Sequence, residues 1–322
     1  MDGNGHSGTR GPLRVGLVGA GRRGAARARA LVALPGVTLG GVADADAGRA
    51  RALAHGHGAP AFPSVPALLA VVDAVCVCVP PADRFRVARV AAGGGVHVFL
   101  DWPPATGPAE AEQLGHLAEE AGVEVGVARP LPIRTLLDAG PPDWRPRLFA
   151  LTLDAGTAPD DALGALPWPH RLAGALDLAV GFAQKGEVQR IEAEADREGA
   201  RLCTVAFGLR FRNGLYAQTT LHERARAVPP PDRFRLDAAG GGLHLSARAL
   251  DGPVCLESDS VRLPNPSLTP TDRQASPPAV ATPANELDDF LNAIAAGQPA
   301  PVSVLDALHT LRLVERLMER LR

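Results

Sequence analysis

Apolar residues in the first part of the chain gather in short runs, separated by longer amphipathic stretches. Runs at 15–18, 37–43, 74–79, 96–100 and 123–128 are rich in Val and lack strict alternation. That is the pattern of strands buried on both faces. The stretches between them have helical spacing. Ala28, Leu31 and Val32 share a face within 25–34; 64–72 follows a capping Ser64; 108–121 has Pro108 in its first turn, where proline is tolerated. Strand and helix in turn predict a doubly wound parallel sheet.

The pattern changes after residue 145. Cys203, Val205, Phe207, Leu209 and Phe211 alternate with more polar neighbours, and Asn213-Gly214 then marks a hairpin. Leu215, Ala217, Thr219 and Leu221 continue on one side, with Tyr216, Gln218, Thr220 and His222 opposite. Further strands are predicted at 149–154, 190–195, 233–238, 243–247, 254–257 and 261–263. Together they give a large, mostly antiparallel open sheet with one better-buried face. The Pro-rich stretch 264–284 reads as an extended connection. Leu287, Phe290, Leu291 and Ile294 then recur at helical spacing, and Ser303-Val304-Leu305-Asp306 resembles a capping box ahead of a stripe of Val304, Ala307, Leu311, Val314 and Met318. The expected fold class is α/β, an N-terminal Rossmann sheet plus a C-terminal α+β domain. The expected boundaries are a disordered tail over 1–12, the doubly wound domain over 13–127, and the α+β domain with the closing helices over 128–322.

Composition narrows the classes. A chain of 322 residues suits about two domains. A formal net charge of −2 gives no electrostatic footprint for nucleic acid. No apolar stretch reaches membrane-spanning length and no secretory signal is visible, so no membrane or nucleic-acid partner and a cytoplasmic setting are expected. Cys76, Cys78, Cys203 and Cys255 lack metal-ligand spacing and the nine His do not cluster, so no metal site is expected. Lys185 is the single lysine among 33 Lys and Arg. In such a composition, a lysine lost by drift becomes arginine.

The chemistry concentrates at Gly19-Ala20-Gly21-Arg22-Arg23-Gly24, between the first strand and first helix, with Asp44 twenty residues beyond Gly24 at the end of the second strand. Strand, glycines, helix, strand and acid in that order are the dinucleotide fingerprint. Gly19 allows the tight turn, Gly21 the approach of a pyrophosphate, and Gly24 close helix packing. The helix N-terminus offers free N–H groups, and Asp44 accepts from an adenosine ribose. Of Arg22 and Arg23, one is expected on phosphate and the other in solvent.

The order of elements resembles the glucose–fructose oxidoreductase, inositol dehydrogenase and MocA family (Gfo/Idh/MocA) over nearly the whole chain after residue 12. Val79-Pro80-Pro81 resembles the family's turn beneath the nicotinamide. Gly95-Val96-His97-Val98-Phe99-Leu100-Asp101-Trp102-Pro103 stands in place of its Gly-Lys-His-Val-x-x-Glu-Lys-Pro signature. Asp177-Leu178-Ala179, Phe211-Arg212-Asn213-Gly214 and Asn285-Glu286-Leu287-Asp288-Asp289-Phe290 resemble later family segments. The resemblance implies a nicotinamide-binding domain and a substrate domain, NAD as cofactor with NADP as the alternative, and contacts to the cofactor from Val79, Pro80, Asp101 and Pro103.

Against that pattern, the catalytic positions differ. Trp102 replaces the family's Lys, His170 its Asp and Gly174 its catalytic His, while Arg84 stands where a His often follows the Pro-containing turn. A positioned acid–base group contributes roughly 10² to 10⁴ in rate. Losing three such positions argues against the usual alcohol–ketone chemistry. Trp102 either lines a flat apolar pocket or packs over a lost site; the fungal galactose-regulon repressor, a non-catalytic relative, also resembles this chain at that one position. His170 is the replacement acid–base candidate, or a packing residue beside Trp168 and Pro169. Asp101 either meets the cofactor ribose or orients the turn, or is a strand-end carboxylate. Arg129 either binds an anionic substrate or is solvated. Tyr216 and His222 fit an oligomer surface better than catalysis. Three functions stay open: an oxidoreductase with an altered site acting on an imine or a modified sugar or carbonyl; a non-catalytic dinucleotide-binding sensor or partner subunit; and a non-redox enzyme reusing the pocket. A homodimer or homotetramer is expected.

Overall fold

The structure, a computed structural model, describes residues 11–129, 144–156, 168–184, 186–224, 234–240, 243–249, 254–259 and 283–322. The expected tail up to residue 10, the strand at 261–263 and most of the Pro-rich stretch lie outside these residues.

Contacts divide the chain into two units. The first takes the described residues of Met1–Ala128 and Pro283–Leu308, the second those of Arg129–Thr282 and His309–Arg322. The expected assignment of all late helices to the second domain needs correction, because Pro283–Leu308 groups with the first unit. Leu287, Phe290, Leu291 and Ile294 of helix Pro283–Ala295 join the first unit's core with Val15, Leu17, Leu31 and Phe99. The Phe290 ring lies 5.3 Å from that of Phe99 and fills the space a side chain at Gly126 would need. An amphipathic stripe states that a helix is buried, not which sheet it covers.

The first unit is built from β1 (Leu13–Val18), α1 (Arg22–Ala33), β2 (Val37–Ala43), α2 (Ala47–Gly56), α3 (Val65–Leu69), β3 (Ala74–Val77), α4 (Pro81–Gly93), β4 (His97–Leu100), α5 (Pro108–Ala121) and β5 (Val125–Val127). Its strands are parallel in the order β2-β1-β3-β4-β5. Every residue of β3 is buried, as a strand covered on both faces requires. Ser64 caps α3 through the Ala67 N–H at 3.3 Å, and Pro108 opens α5. Helices α2 and α4 carry no strong apolar stripe because Ala supplies much of what they bury: Ala50 and Ala54 in one, Ala88, Ala91 and Ala92 with Val87 in the other.

The second unit holds β6 (Leu148–Gly156), α6 (Trp168–Phe182), β7 (Val188–Glu198), β8 (Arg201–Phe211), β9 (Tyr216–Arg224), β10 (Phe234–Gly240), β11 (Leu243–Ala249) and β12 (Val254–Asp259). The sheet runs β12-β11-β10-β6-β9-β8-β7. All pairs are antiparallel except the central β6–β9 pair, which is parallel. Val205, Phe207, Leu209 and Phe211 are buried together with Leu215, Ala217, Thr219 and Leu221, as alternation predicts. The Asn-Gly hairpin is one step wider than a two-residue turn: the Phe211 N–H donates to the Leu215 carbonyl, and Gly214 takes a φ of +89°.

The remaining helices are α7 (Pro283–Ala295) and α8 (Val304–Arg320). The capping box forms reciprocally: the Asp306 N–H donates to Ser303 Oγ at 3.2 Å, and the Ser303 N–H donates to the Asp306 carboxylate at 3.0 Å. Among the described residues no helix is long and apolar enough to cross a membrane.

Candidate dinucleotide and active site

The candidate cofactor residues of the first unit stand at one edge of its sheet, the carboxyl end of the parallel strands. Gly19–Gly24 follows β1, Asp44 follows β2, Val79-Pro80 follows β3, and Asp101-Trp102-Pro103 follows β4. The chain order reverses between β1 and β3, and open α/β sheets bind their ligands at such a point.

The three glycines differ in what surrounds them. Gly19 has a φ of +101°, and a Cβ there would stand 2.7 Å from the Cys78 carbonyl oxygen. A Cβ on Gly24 would run into the Gly19 carbonyl oxygen. Both are closed by the protein's own backbone. Gly21 is the N-cap of α1 with no side-chain cap, and a Cβ there would meet nothing within 4 Å. Open space before uncapped helix N–H groups is what a pyrophosphate requires.

Asp44 is held in place. Its Oδ2 accepts from the Ala20 N–H at 2.6 Å, and its Oδ1 from the Asp46 N–H at 2.8 Å and from Arg49 Nη2 at 2.9 Å. Burial opposes its ionisation, but these donors prevail and hold the carboxyl below its usual range.

Two buried arginines organise the opposite end of the edge. Arg27, on the sheet-facing side of α1, donates to Asp101 Oδ1 at 3.0 Å and lies 5.0 Å over the Phe99 ring. Arg23 stands 3.8 Å from Asp101 Oδ2 and is nearly half exposed. Arg22 is exposed. Arg84 donates to three carbonyls: Val79 at 3.0 Å, Asp101 at 3.1 Å and Pro103 at 2.7 Å. Its burial pulls the guanidinium down to about 10. Sequence reasoning noted Arg84 only as a departure and missed Arg27. The available signal was an arginine beside Ala28 and Leu31 on a face that should be apolar. Cys76 and Cys78 pack nearby as neutral thiols, and burial pushes the Cys76 thiol up to about 12. Both are free, as is Cys203.

Trp102 is buried, and its indole Nε1 has no hydrogen-bond partner. Such a donor is costly to leave unmatched. The Trp102-Pro103 peptide is cis.

The second unit carries the other candidates. Arg129 pairs with the buried Asp177 at 3.2 Å, and Thr310 donates to the same carboxylate at 3.2 Å. The expected solvated or substrate-seeking guanidinium is thus engaged within the protein. His170 lies half-buried in the first turn of α6, and Gly174 is buried inside that helix. Next to His170, Arg171 pairs with Glu223, which also binds Arg201 at 2.8 Å. Burial works against the charge on Glu223, but the two arginines outweigh it and hold its carboxyl below the usual range. This ion network gave no sequence signal, because its members lie on three separate elements. Among the described residues no three His, Cys, Asp or Glu side chains group as metal ligands.

Comparison with known proteins places this geometry. The profile of an oxidoreductase family with an NAD-binding Rossmann fold, Gfo/Idh/MocA, matches residues 13–129. UDP-N-acetylglucosamine 3-dehydrogenase of Acidithiobacillus ferrooxidans is 40% identical over 108 residues, 34% of this chain and 34% of that protein. The sequence match therefore spans about a third of that relative's length. The solved structure of UDP-N-acetylglucosamine 3-dehydrogenase GnnA from the same organism superposes with a TM-score of 0.79 at 25% identity, over 96% of this chain and 97% of that one. GenD2 from gentamicin A biosynthesis, solved in complex with NAD, shares the fold with a TM-score of 0.75 at 19% identity, over 99% and 97% of the two chains.

Proposed function

We propose, from the match of residues 13–129 to the Gfo/Idh/MocA oxidoreductase profile, that this chain is an NAD(H)-dependent oxidoreductase whose substrate is a modified sugar carbonyl or imine. The observation that carries this reading is the intact cradle at Gly21, open beside an uncapped helix while Gly19 and Gly24 are packed to their limit. A chain that had lost cofactor binding would have no reason to keep that space. The likeness to UDP-N-acetylglucosamine 3-dehydrogenase favours a sugar over other carbonyl compounds.

Bound there, the nicotinamide supplies hydride chemistry. Gly21 and the first N–H groups of α1 would hold the pyrophosphate, Asp44 would take the adenosine ribose, and the turn at Val79-Pro80 would support the nicotinamide half. Asp101, fixed by Arg27, orients the turn that carries Trp102 and Pro103. Trp102 has no acid–base function near neutral pH, but its unmatched N–H can donate to a ligand oxygen. An imine protonated by solvent needs no lysine. His170 is the candidate proton donor. Asp44 favours NAD(H) over NADP(H), because a carboxylate repels a 2′-phosphate.

The test is transfer of deuterium from 4-deuterated NADH to keto-sugars, keto-sugar nucleotides and cyclic imines, followed by mass spectrometry. Deuterated product, reduced in His170→Ala, supports the reading. Tight NADH binding with no transfer to any of them favours the second reading, a non-catalytic dinucleotide sensor or partner subunit. The observation on its side is the tryptophan at the lysine position.

A further inference from the structure

The carboxylate that receives the ribose is already in use. Two of the donors to Asp44 are backbone groups fixed by the fold: the Ala20 N–H within the glycine turn, at Oδ2, and the Asp46 N–H, at Oδ1. Asp46 is itself pinned as the cap of α2, accepting from the Gly48 and Arg49 N–H groups at 2.7 and 3.1 Å. The third donor is the guanidinium of Arg49, which places Nη2 at 2.9 Å and Nε at 3.3 Å from the same Oδ1. A carboxylate offers about four lone-pair positions. The two amides take one on each oxygen, and Arg49 occupies what remains at Oδ1. A vicinal diol needs one free position on each oxygen, so a ribose can be held by both only after Arg49 leaves.

Arg49 is able to leave. Its side chain is 59% exposed, so the guanidinium can move from Asp44 into water without losing its own hydration. Its Cα is anchored in the first turn of α2, so a displaced guanidinium stays beside the ribose edge. There it faces the position where NADP carries a 2′-phosphate, a group that a guanidinium binds with two parallel hydrogen bonds.

We propose that Arg49 sets the cofactor selectivity of this site: it competes with the ribose diol of NAD(H) for Asp44, and it offsets the repulsion between Asp44 and the 2′-phosphate of NADP(H). The proposal rests on the dinucleotide reading above. It makes the preference for NAD(H) narrower than Asp44 alone would impose.

Calorimetric titration of the full chain with NADH and NADPH tests it, using wild type, Arg49→Ala and Arg49→Lys. Arg49→Ala is expected to bind NADH as well as wild type or up to about threefold tighter, and NADPH at least about tenfold more weakly, the loss of a charge-assisted phosphate contact. Arg49→Lys, a point charge without the fork, should fall between the two. If the NADH to NADPH affinity ratio is the same in Arg49→Ala and wild type, the inference is wrong while the cofactor reading stands. If Arg49→Ala weakens both cofactors equally, Arg49 merely supports the Asp44 loop and the inference is again wrong. If wild type binds neither cofactor, both readings fail together.

Discussion

The guanidinium of Arg84 donates to the Pro103 carbonyl at 2.7 Å from beneath the turn that follows β4. It also holds Val79 and Asp101, so one side chain ties the loop after β3 to the loop after β4. An imidazole has two ring nitrogens in a fixed relation and cannot serve three carbonyls.

Arg84→Leu should therefore lower stability by at least about 2 kcal/mol, because three buried carbonyls lose their charged donor and an orphaned buried acceptor costs about 1–3 kcal/mol. Arg84→Lys should recover part of this, because an ammonium reaches fewer of the three acceptors. Urea unfolding of the three proteins measures it. Leucine at wild-type stability would mean the three bonds contribute nothing net.

Gly21 and Gly24 should separate folding from binding. A methyl on Gly24 collides with backbone at Gly19, so Gly24→Ala should cost at least about 2 kcal/mol as an overpacked core site. Gly21 has a φ of −76°, which any residue adopts, and open space around it. Gly21→Ala should leave stability within about 0.5 kcal/mol while weakening NADH at least about tenfold, since its methyl enters the pyrophosphate space. Thermal unfolding and calorimetry on both variants check the contrast.

Much of this edge was legible in the sequence because each fingerprint position answers a local backbone need. Gly19 must take a positive φ, Gly24 must admit a backbone, and Asp44 must end a strand. The buried charges were not legible. Arg27 reads as one more exposed arginine until Asp101, far away in sequence, is placed against it. Nor does Arg129 announce that Asp177 holds it. The stripe Leu287–Ile294 announced a buried helix but not its host sheet, since that choice depends on which core has an open face. The parallel β6–β9 pair was missed for a related reason: alternation reports which face is buried and says nothing of strand direction.

Stability should fall in acid with a definable onset. Asp44 and Glu223 both have carboxyls lowered on folding from usual values of 3.8 and 4.5. The unfolded chain thus binds protons first as pH drops. Their contribution is complete above those usual values and is lost as pH falls through the lower, folded ones. The buried Cys76 acts in the opposite direction: its thiol rises on folding from 9.0 to about 12, so its share is present below 9 and declines above it. Urea midpoints should be level from pH 5 to about 8, dropping on both sides. Glu223→Gln should flatten the acid limb; an unchanged limb would show that the Arg171 and Arg201 pairing does not favour the ionised form.

The outer face of the second sheet should form a subunit contact. Tyr216, Thr220 and His222 on β9 and Thr204 on β8 are half-buried on that face, and Leu148 is 59% exposed. A broad sheet face of mixed polarity suits a symmetric partner. Light scattering at micromolar concentration should give a dimer or tetramer, and Thr220→Arg should shift it towards monomer. A monomeric wild type would refute the assignment.

Trp102→Lys should not create a sugar-alcohol dehydrogenase. A lysine there would supply only the amine; Gly174 is buried within α6 and has no side chain to offer, and His170 is the residue that the family resemblance aligns with an acid. Groups that act as a unit are strongly non-additive, so one restored member recovers little of the whole. The amine would also replace a buried indole. Burial at that position would depress the ammonium. The variant should therefore be less stable than wild type, and neither protein should oxidise inositol or glucose with NAD at rates near the common range of about 1–10³ per second. Spectrophotometric assay of NADH formation from both sugars decides it. Turnover by the native protein would show that the three altered positions have been registered wrongly, and turnover gained only in Trp102→Lys would show that the lysine alone carries the family's chemistry.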